Sequence, residues 1–121
     1  MEKINESVLD SFINLKGLLS QKVEEQSKDD FLTFVKLMAP SIVSGFKMGS
    51  HIKVISNKLK ELEEGKIKRL MVFLPPRSSK SVLCSKLFPA WYIGRHPEHE
   101  ILTVSHSDQL SSDFGRSVRD I

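Results

Sequence analysis

A chain of 121 residues, 40% hydrophobic and 27% charged, allows one small domain, with a folded globular segment expected rather than disorder. It holds no apolar run of the roughly 18 residues a membrane-spanning helix needs, no signal-peptide layout, and a single cysteine, so a soluble, intracellular, reducing setting is expected. The net charge of +3 is uneven: residues 1–30 hold four basic against seven acidic side chains, and residues 31–70 hold eight against three, so the middle can meet phosphate or nucleic acid unless it is simply a solvated face.

Residues 4–24 carry Ile4, Val8, Phe12, Leu15 and Leu19 at helical spacing, which predicts an amphipathic helix that packs on the body of the protein or docks a partner. The polar stretch 26–30 reads as a connector in which Asp29 or Asp30 caps the next helix. Phe31, Phe34, Val35 and Met38 line one face of that helix, and Pro40 is expected to end it near Ala39. Residues 40–50 read as loop. A third helix starts near His51, buries Ile52, Ile55, Leu59 and Leu62, and stops at Gly65.

Residues 70–74 form a short continuous apolar run. That pattern suits a central parallel strand covered on both faces, stopped by Pro75 and Pro76, which have no N–H for a sheet ladder. The turn Arg77-Ser78-Ser79-Lys80-Ser81 then leads into an apolar helical stretch. Strand, loop, Lys-Ser and helix is the layout of a phosphate-binding P-loop. Loop amides and a helix N-terminus offer N–H groups and a positive dipole end to a polyphosphate, a lysine adds a full charge, and the following hydroxyl ligates Mg²⁺. The pattern GxxxxGK[ST] places glycine where this chain has Leu74 and Ser79, so only Lys80 and Ser81 match it. Glycine serves there because backbone at positive φ must approach phosphate closely. The plain alternative is a proline-stopped strand followed by a basic surface turn.

Val82, Leu83, Leu87 and Trp91 continue an apolar helix face, which Pro89 is expected to kink or interrupt. Cys84 reads as buried filler, and Trp91 and Tyr92 as packing residues. His96 and His99 flank Pro97 in a polar turn, read as surface residues with no metal cluster. Residues 101–104 form the second predicted strand, with Ser105 and His106 at its C-terminal end as second-rank site residues. Leu110, Phe114 and Val118 line a last helix, where Arg116 and Arg119 either reach a partner or lie on a solvated face.

The run 65–81, with its Pro75-Pro76-Arg77-Ser78-Ser79-Lys80-Ser81 loop, closely resembles the large subunit of tailed-phage terminases, the ATPase that drives DNA into a capsid. Residues 88–97, 101–107 and 114–121 are similar to the same family, so the likeness spans roughly residues 30–121. The resemblance implies an α/β P-loop NTPase fold, a parallel sheet flanked by helices, present here as an N-terminal fragment: a helical lead-in over 1–28, a helical segment over 29–66, and the start of the ATPase core over 67–121. It implies ATP and Mg²⁺ as cofactors. Pro76, Arg77, Ser78, Ser79, Lys80 and Ser81 would bind the nucleotide, with Lys80 on the β- and γ-phosphates, Ser81 on Mg²⁺, and Arg77 sensing or stabilising the γ-phosphate. A structural salt bridge is the alternative for Arg77. His51 would lie at the nucleotide-base end, or else be an exposed residue at a helix start. The implied partners are double-stranded DNA, the portal, the small terminase subunit and further copies in a motor, with no membrane, in the cytoplasm of a bacterial host. The acidic residues completing the metal site, the carboxylate orienting water and the nuclease centre are expected outside these residues, so the chain alone should bind nucleotide weakly and turn it over poorly. The rivals are a fragment of another P-loop translocase and a non-catalytic interaction module.

Overall fold

Nine buried apolar side chains, three from each of three helical segments, set the architecture: Phe31, Val35 and Ala39; Ile52, Ile55 and Leu59; Leu83, Leu87 and Trp91. Each trio recurs at three- or four-residue spacing, so each segment presents one stripe to a common centre. The computed structural model describes the backbone of residues 2–121 and the side chains of residues 6–121. Its helices are α1 (Glu2–Asp29), α2 (Phe31–Ile42), α3 (Ser50–Glu63), α4 (Phe88–Arg95), entered through a π-helical turn over Val82–Leu87, and α5 (Asp108–Asp120). α2 is central and touches α1, α3, the π-turn and α4.

The helix boundaries have local causes. α1 runs through the expected connector to Asp29, and a single non-helical residue, Asp30, separates it from α2. Asp30 caps α2: its Oδ2 accepts from the Thr33 N–H at 3.0 Å and from the Thr33 hydroxyl at 2.7 Å. α2 does not stop at Pro40. The proline lies in the last turn on the exposed side, and the Val43 N–H closes the helix on the Ala39 carbonyl at 2.9 Å. α3 ends as expected: Gly65 takes φ +74°, its N–H donates to the Leu62 carbonyl, and the Lys66 N–H donates to the Glu61 carbonyl, the paired bonds of a Schellman motif. At Pro89 the α-helical bonding is interrupted, as expected, but the chain stays helical. The π-turn shifts the bonding register, with the Phe88 N–H reaching back five residues to the Leu83 carbonyl, and the proline then occupies the first turn of α4, where its missing N–H costs little.

The expected α/β fold is not what forms. Helix covers 68% of the chain, and among the described residues there is no strand and no sheet. Residues 70–74 and 101–104 have no regular secondary structure and join no ladder. The apolar run 70–74 lies along the helices with Leu70, Val72 and Leu74 turned to the core, while Met71 is 78% and Phe73 82% exposed. A central parallel strand needs backbone partners on both sides and cover on both faces. This one has cover on a single face. Residues 101–104 instead border a groove of about 610 Å³ with Leu70, Val72, Phe88 and Tyr92.

α1 also departs from the packing expected of it. Val8, Phe12, Leu15 and Leu19 are all exposed, and Ile4 lies outside the described side chains. The helix is held at its C-terminal end, where the Trp91 Nε1–H donates to the Ser27 carbonyl at 3.0 Å in a buried contact. No described helix is long and apolar enough to cross a membrane.

Candidate functional site

The loop between the apolar run and the π-turn has an unusual backbone. Arg77 and Ser79 take φ +62° and +61°, the only non-glycine residues at positive φ among those described. Each costs about 1–2 kcal/mol relative to ordinary backbone, and such residues persist where the surroundings over-determine them. Ser79 stands at the position where the P-loop pattern has glycine, so the chain adopts there the backbone for which glycine is normally used. Alternation of left-handed and ordinary backbone turns successive N–H groups toward one side, a concavity suited to anions. Among the described residues no protein acceptor takes the N–H of Arg77, Ser78, Ser79 or Lys80.

The loop encloses a hollow of about 360 Å³ lined by residues 74–82 alone. Pro76, Arg77, Ser78, Ser79, Lys80 and Ser81 all border it. Ser78 braces the turn, its hydroxyl donating to the Pro75 carbonyl at 2.6 Å. Lys80 and Ser81 open the helix, and the Ser79 carbonyl accepts its early bond from the Leu83 N–H at 3.0 Å. Among the described residues neither Arg77 nor Lys80 has a carboxylate within ion-pair reach. The salt-bridge alternative for Arg77 is therefore not realised here. The hollow's rim carries two cations, free amides and no carboxylate, so it can hold an anion such as a phosphate chain. For Mg²⁺ it offers one protein oxygen donor of the expected kind, the exposed Ser81 hydroxyl. The residues present thus fit a metal carried in on phosphate oxygens.

Other expected site residues are not brought here. His51 is exposed at the start of α3 and does not line the hollow. Its ring folds over Gly49, where a Cβ would stand 2.6 Å from the imidazole, so glycine at 49 permits that approach. Ser105 is occupied in building the α5 N-terminus. Its hydroxyl donates to the Ser107 carbonyl and pairs with the Ser111 hydroxyl, both at 2.7 Å, while the Ser107 side chain accepts from the Leu110 N–H. His106 is exposed beside it. Arg116 and Arg119 lie near Asp113 and Asp120 on the surface of α5. Cys84 is half-buried on the π-turn, where burial pushes its thiol up against the opposing charge of Lys80, so it stays a protonated thiol at neutral pH.

A second polar cluster forms at the far end of the same helical segment, where the sequence pattern predicts only surface histidines. The turn closed by the His99 N–H on the His96 carbonyl, at 3.0 Å, stacks the two imidazoles 5.0 Å apart. Glu98 lies beside both. The His96 Nε2–H donates to Glu63 Oε1 at 2.8 Å, and the Arg95 Nε–H donates to the same oxygen at 3.0 Å. Burial raises the pKa of the Glu63 carboxyl, whose side chain is 6% exposed, but the bonds from His96 and Arg95 together outweigh it and hold the carboxyl below its ordinary range. The turn-forming His96-Pro97-Glu98-His99 order was the visible signal for the three clustered side chains. Glu63 lies 33 residues away and left no local trace.

No protein-family model, curated protein or solved structure matches the chain.

Proposed function

We propose that residues 75–81 bind the phosphates of Mg²⁺–ATP, and that the chain is the N-terminal portion of a terminase-like DNA-packaging ATPase. One observation carries the reading: Ser79, at the glycine position of the pattern, adopts positive φ immediately before an unpaired Lys80 at a helix start. The reading makes no use of a sheet. Lys80 would neutralise the β- and γ-phosphates, the amides of residues 78–80 would cradle them, and Ser81 would hold Mg²⁺, whose charge helps neutralise the polyphosphate. Arg77, exposed and unpaired at the rim, would meet the γ-phosphate. The sequence likeness in turn supports double-stranded DNA as the polymer moved, the portal and small terminase subunit as partners, an oligomeric motor and the bacterial cytoplasm as its setting. With one protein ligand for the metal and no carboxylate at the loop, this chain binds nucleotide without useful turnover.

The test is calorimetric titration with Mg²⁺–ATP of the chain and of Lys80→Ala, with thermal unfolding alongside. Saturable binding that weakens more than about tenfold in the variant is expected, because a charge-assisted hydrogen bond contributes about 1.5–3 kcal/mol. No binding by the unaltered chain, or equal binding by a folded Lys80→Ala variant, would sink the reading.

A further inference from the structure

We propose that His96, Glu98 and His99 form a binding site for a divalent transition-metal ion of the zinc class, independent of the nucleotide reading. One ligand atom from each lies within 4.8 Å of the others. His96 Nδ1 is 3.9 Å and His99 Nε2 is 3.7 Å from the same carboxylate oxygen, Glu98 Oε1. Donors around a tetrahedral zinc ion stand about 3.3 Å apart, given bonds of about 2.0–2.1 Å. These two separations are within an ångström of that spacing, while the widest in the group, up to 4.8 Å, must close by more than an ångström.

The remaining ring nitrogens make this more than a chance cluster. Nε2 of His96 is engaged by Glu63 at 2.8 Å, and Nδ1 of His99 is engaged by the Tyr92 hydroxyl at 2.9 Å. A neutral His96 donating from Nε2 leaves the Nδ1 lone pair toward Glu98. A neutral His99 donating from Nδ1 to the tyrosine oxygen leaves Nε2 toward the same carboxylate. Each histidine is thus oriented from its far side, the arrangement that fixes tautomer and basicity in metal-bound histidines. Glu63 is itself held by Arg95, whose charge is shared with Asp29 at 3.0 Å, so the guanidinium is already balanced by carboxylates rather than left facing the ion.

The site also lies just beyond the C-terminal end of α4, where the helix dipole favours a cation. Two imidazoles and one carboxylate select zinc, cobalt or nickel over Mg²⁺ and Ca²⁺, which take oxygen ligands. The fourth position stays open to water. One movement is required. The imidazoles are nearly parallel, 11° between planes, so their lone pairs converge only after His99, the more exposed of the two, turns. Binding then ties the 96–99 turn to α3 through His96 and Glu63.

The experiment is calorimetric titration of the untagged chain with zinc chloride, with cobalt(II) as a visible-absorption probe and thermal unfolding as a third readout. Expected are one ion per chain, a rise in melting temperature with zinc, and no competition from excess Mg²⁺. His99→Ala and Glu98→Gln change exposed side chains, and their metal-free forms should unfold near the parent temperature while zinc affinity falls more than about tenfold. A His51→Ala/His106→Ala variant should bind zinc as the parent does. No saturable zinc binding, binding retained by both His99→Ala and Glu98→Gln, or binding lost in the His51/His106 variant would each overturn the proposal.

Discussion

The two ends of the helical segment running from Lys80 to Arg95 carry opposite chemistry. At its start lie Arg77 and Lys80, free amides and a strained loop without a carboxylate; just past its end lie His96, Glu98 and His99, backed by Glu63. The peptide dipole points the same way, its positive end toward the loop and its negative end toward the histidines. One helix thus offers an anion site and a cation site, and side-chain charge reinforces the backbone field at each. The ends differ in how they are held. The loop is braced mainly from within, by Ser78 on Pro75 and by the backbone twist at Arg77 and Ser79. The C-terminal turn is held from outside, through Arg95 and His96, by residues at the end of α1 and on α3. An inward-braced loop is open to a ligand but carries its strain itself. An outwardly tied turn depends on the rest of the fold.

The harshest way to break the comparison is to remove the scaffold between the ends. Leu87 is fully buried midway along, packed with Leu83, Trp91 and the stripes of α2 and α3. Leu87→Ala should destabilise the fold by about 2–5 kcal/mol, the cost of lost burial plus a cavity. Denaturant unfolding measures this. If the helix is the shared platform, zinc and nucleotide affinity fall together in this variant, whereas Lys80→Ala and His99→Ala each lower only one. Loss of one activity alone in Leu87→Ala would show that the two ends are independent local structures.

A smaller effect sharpens the contrast by loosening the outward ties. Asp30 caps α2 and meets Lys60 of α3 at 3.3 Å, joining the two helices. Burial raises its pKa, but the Thr33 bonds and the Lys60 charge outweigh that and leave it below its ordinary value of 3.8. A depressed folded-state pKa adds stability that is fully present above the unfolded value and fades as pH falls through the folded one. Stability should therefore decline on acidification below about pH 4. Asp30→Asn, which keeps a capping oxygen, should lose less over that window, while Asp30→Ala should cost about 1 kcal/mol at neutral pH. Melting temperatures at pH 7 and pH 3 check both; an equal acid response from the parent and Asp30→Asn would remove Asp30 from the account.

What could be read in the residues follows from the range of the interactions. The core stripes were legible because helical spacing repeats within each segment: Val35, Ile55, Leu59, Leu83 and Leu87 are buried as expected, and Gly65 ends α3. No sheet forms: five apolar residues in a row fit equally a strand buried on both faces and a segment laid on helices with alternate residues outward. Met71 and Phe73 decide between these only once their neighbours are known. Pro40 does not end α2, because its missing N–H is absorbed in the helix's last turn, whereas the interruption expected at Pro89 is present and takes the form of a π-turn, a property of the assembled helix. For the candidate site, the mismatch at Ser79 was visible as a missing glycine. That the serine takes glycine's conformation was not, since φ is set by the closure of the loop.

That serine supplies the finest test of the comparison. If the loop stores strain in its own backbone, glycine at 79 should relieve it. The gain is the removed left-handed penalty, about 1–2 kcal/mol, less the roughly 0.5–1 kcal/mol of extra chain entropy that glycine brings to the unfolded state. Ser79→Gly should thus stabilise the fold by about 0.5–1 kcal/mol and leave zinc affinity at the other end unchanged. Alanine at 79 keeps a Cβ at positive φ and gives no such relief, so the pair separates backbone strain from loss of the hydroxyl. A Ser79→Gly variant no more stable than Ser79→Ala would mean that the loop relaxes out of the twisted backbone. The amides would then no longer be turned to one side, and the phosphate cradle would lose its physical basis together with the strain.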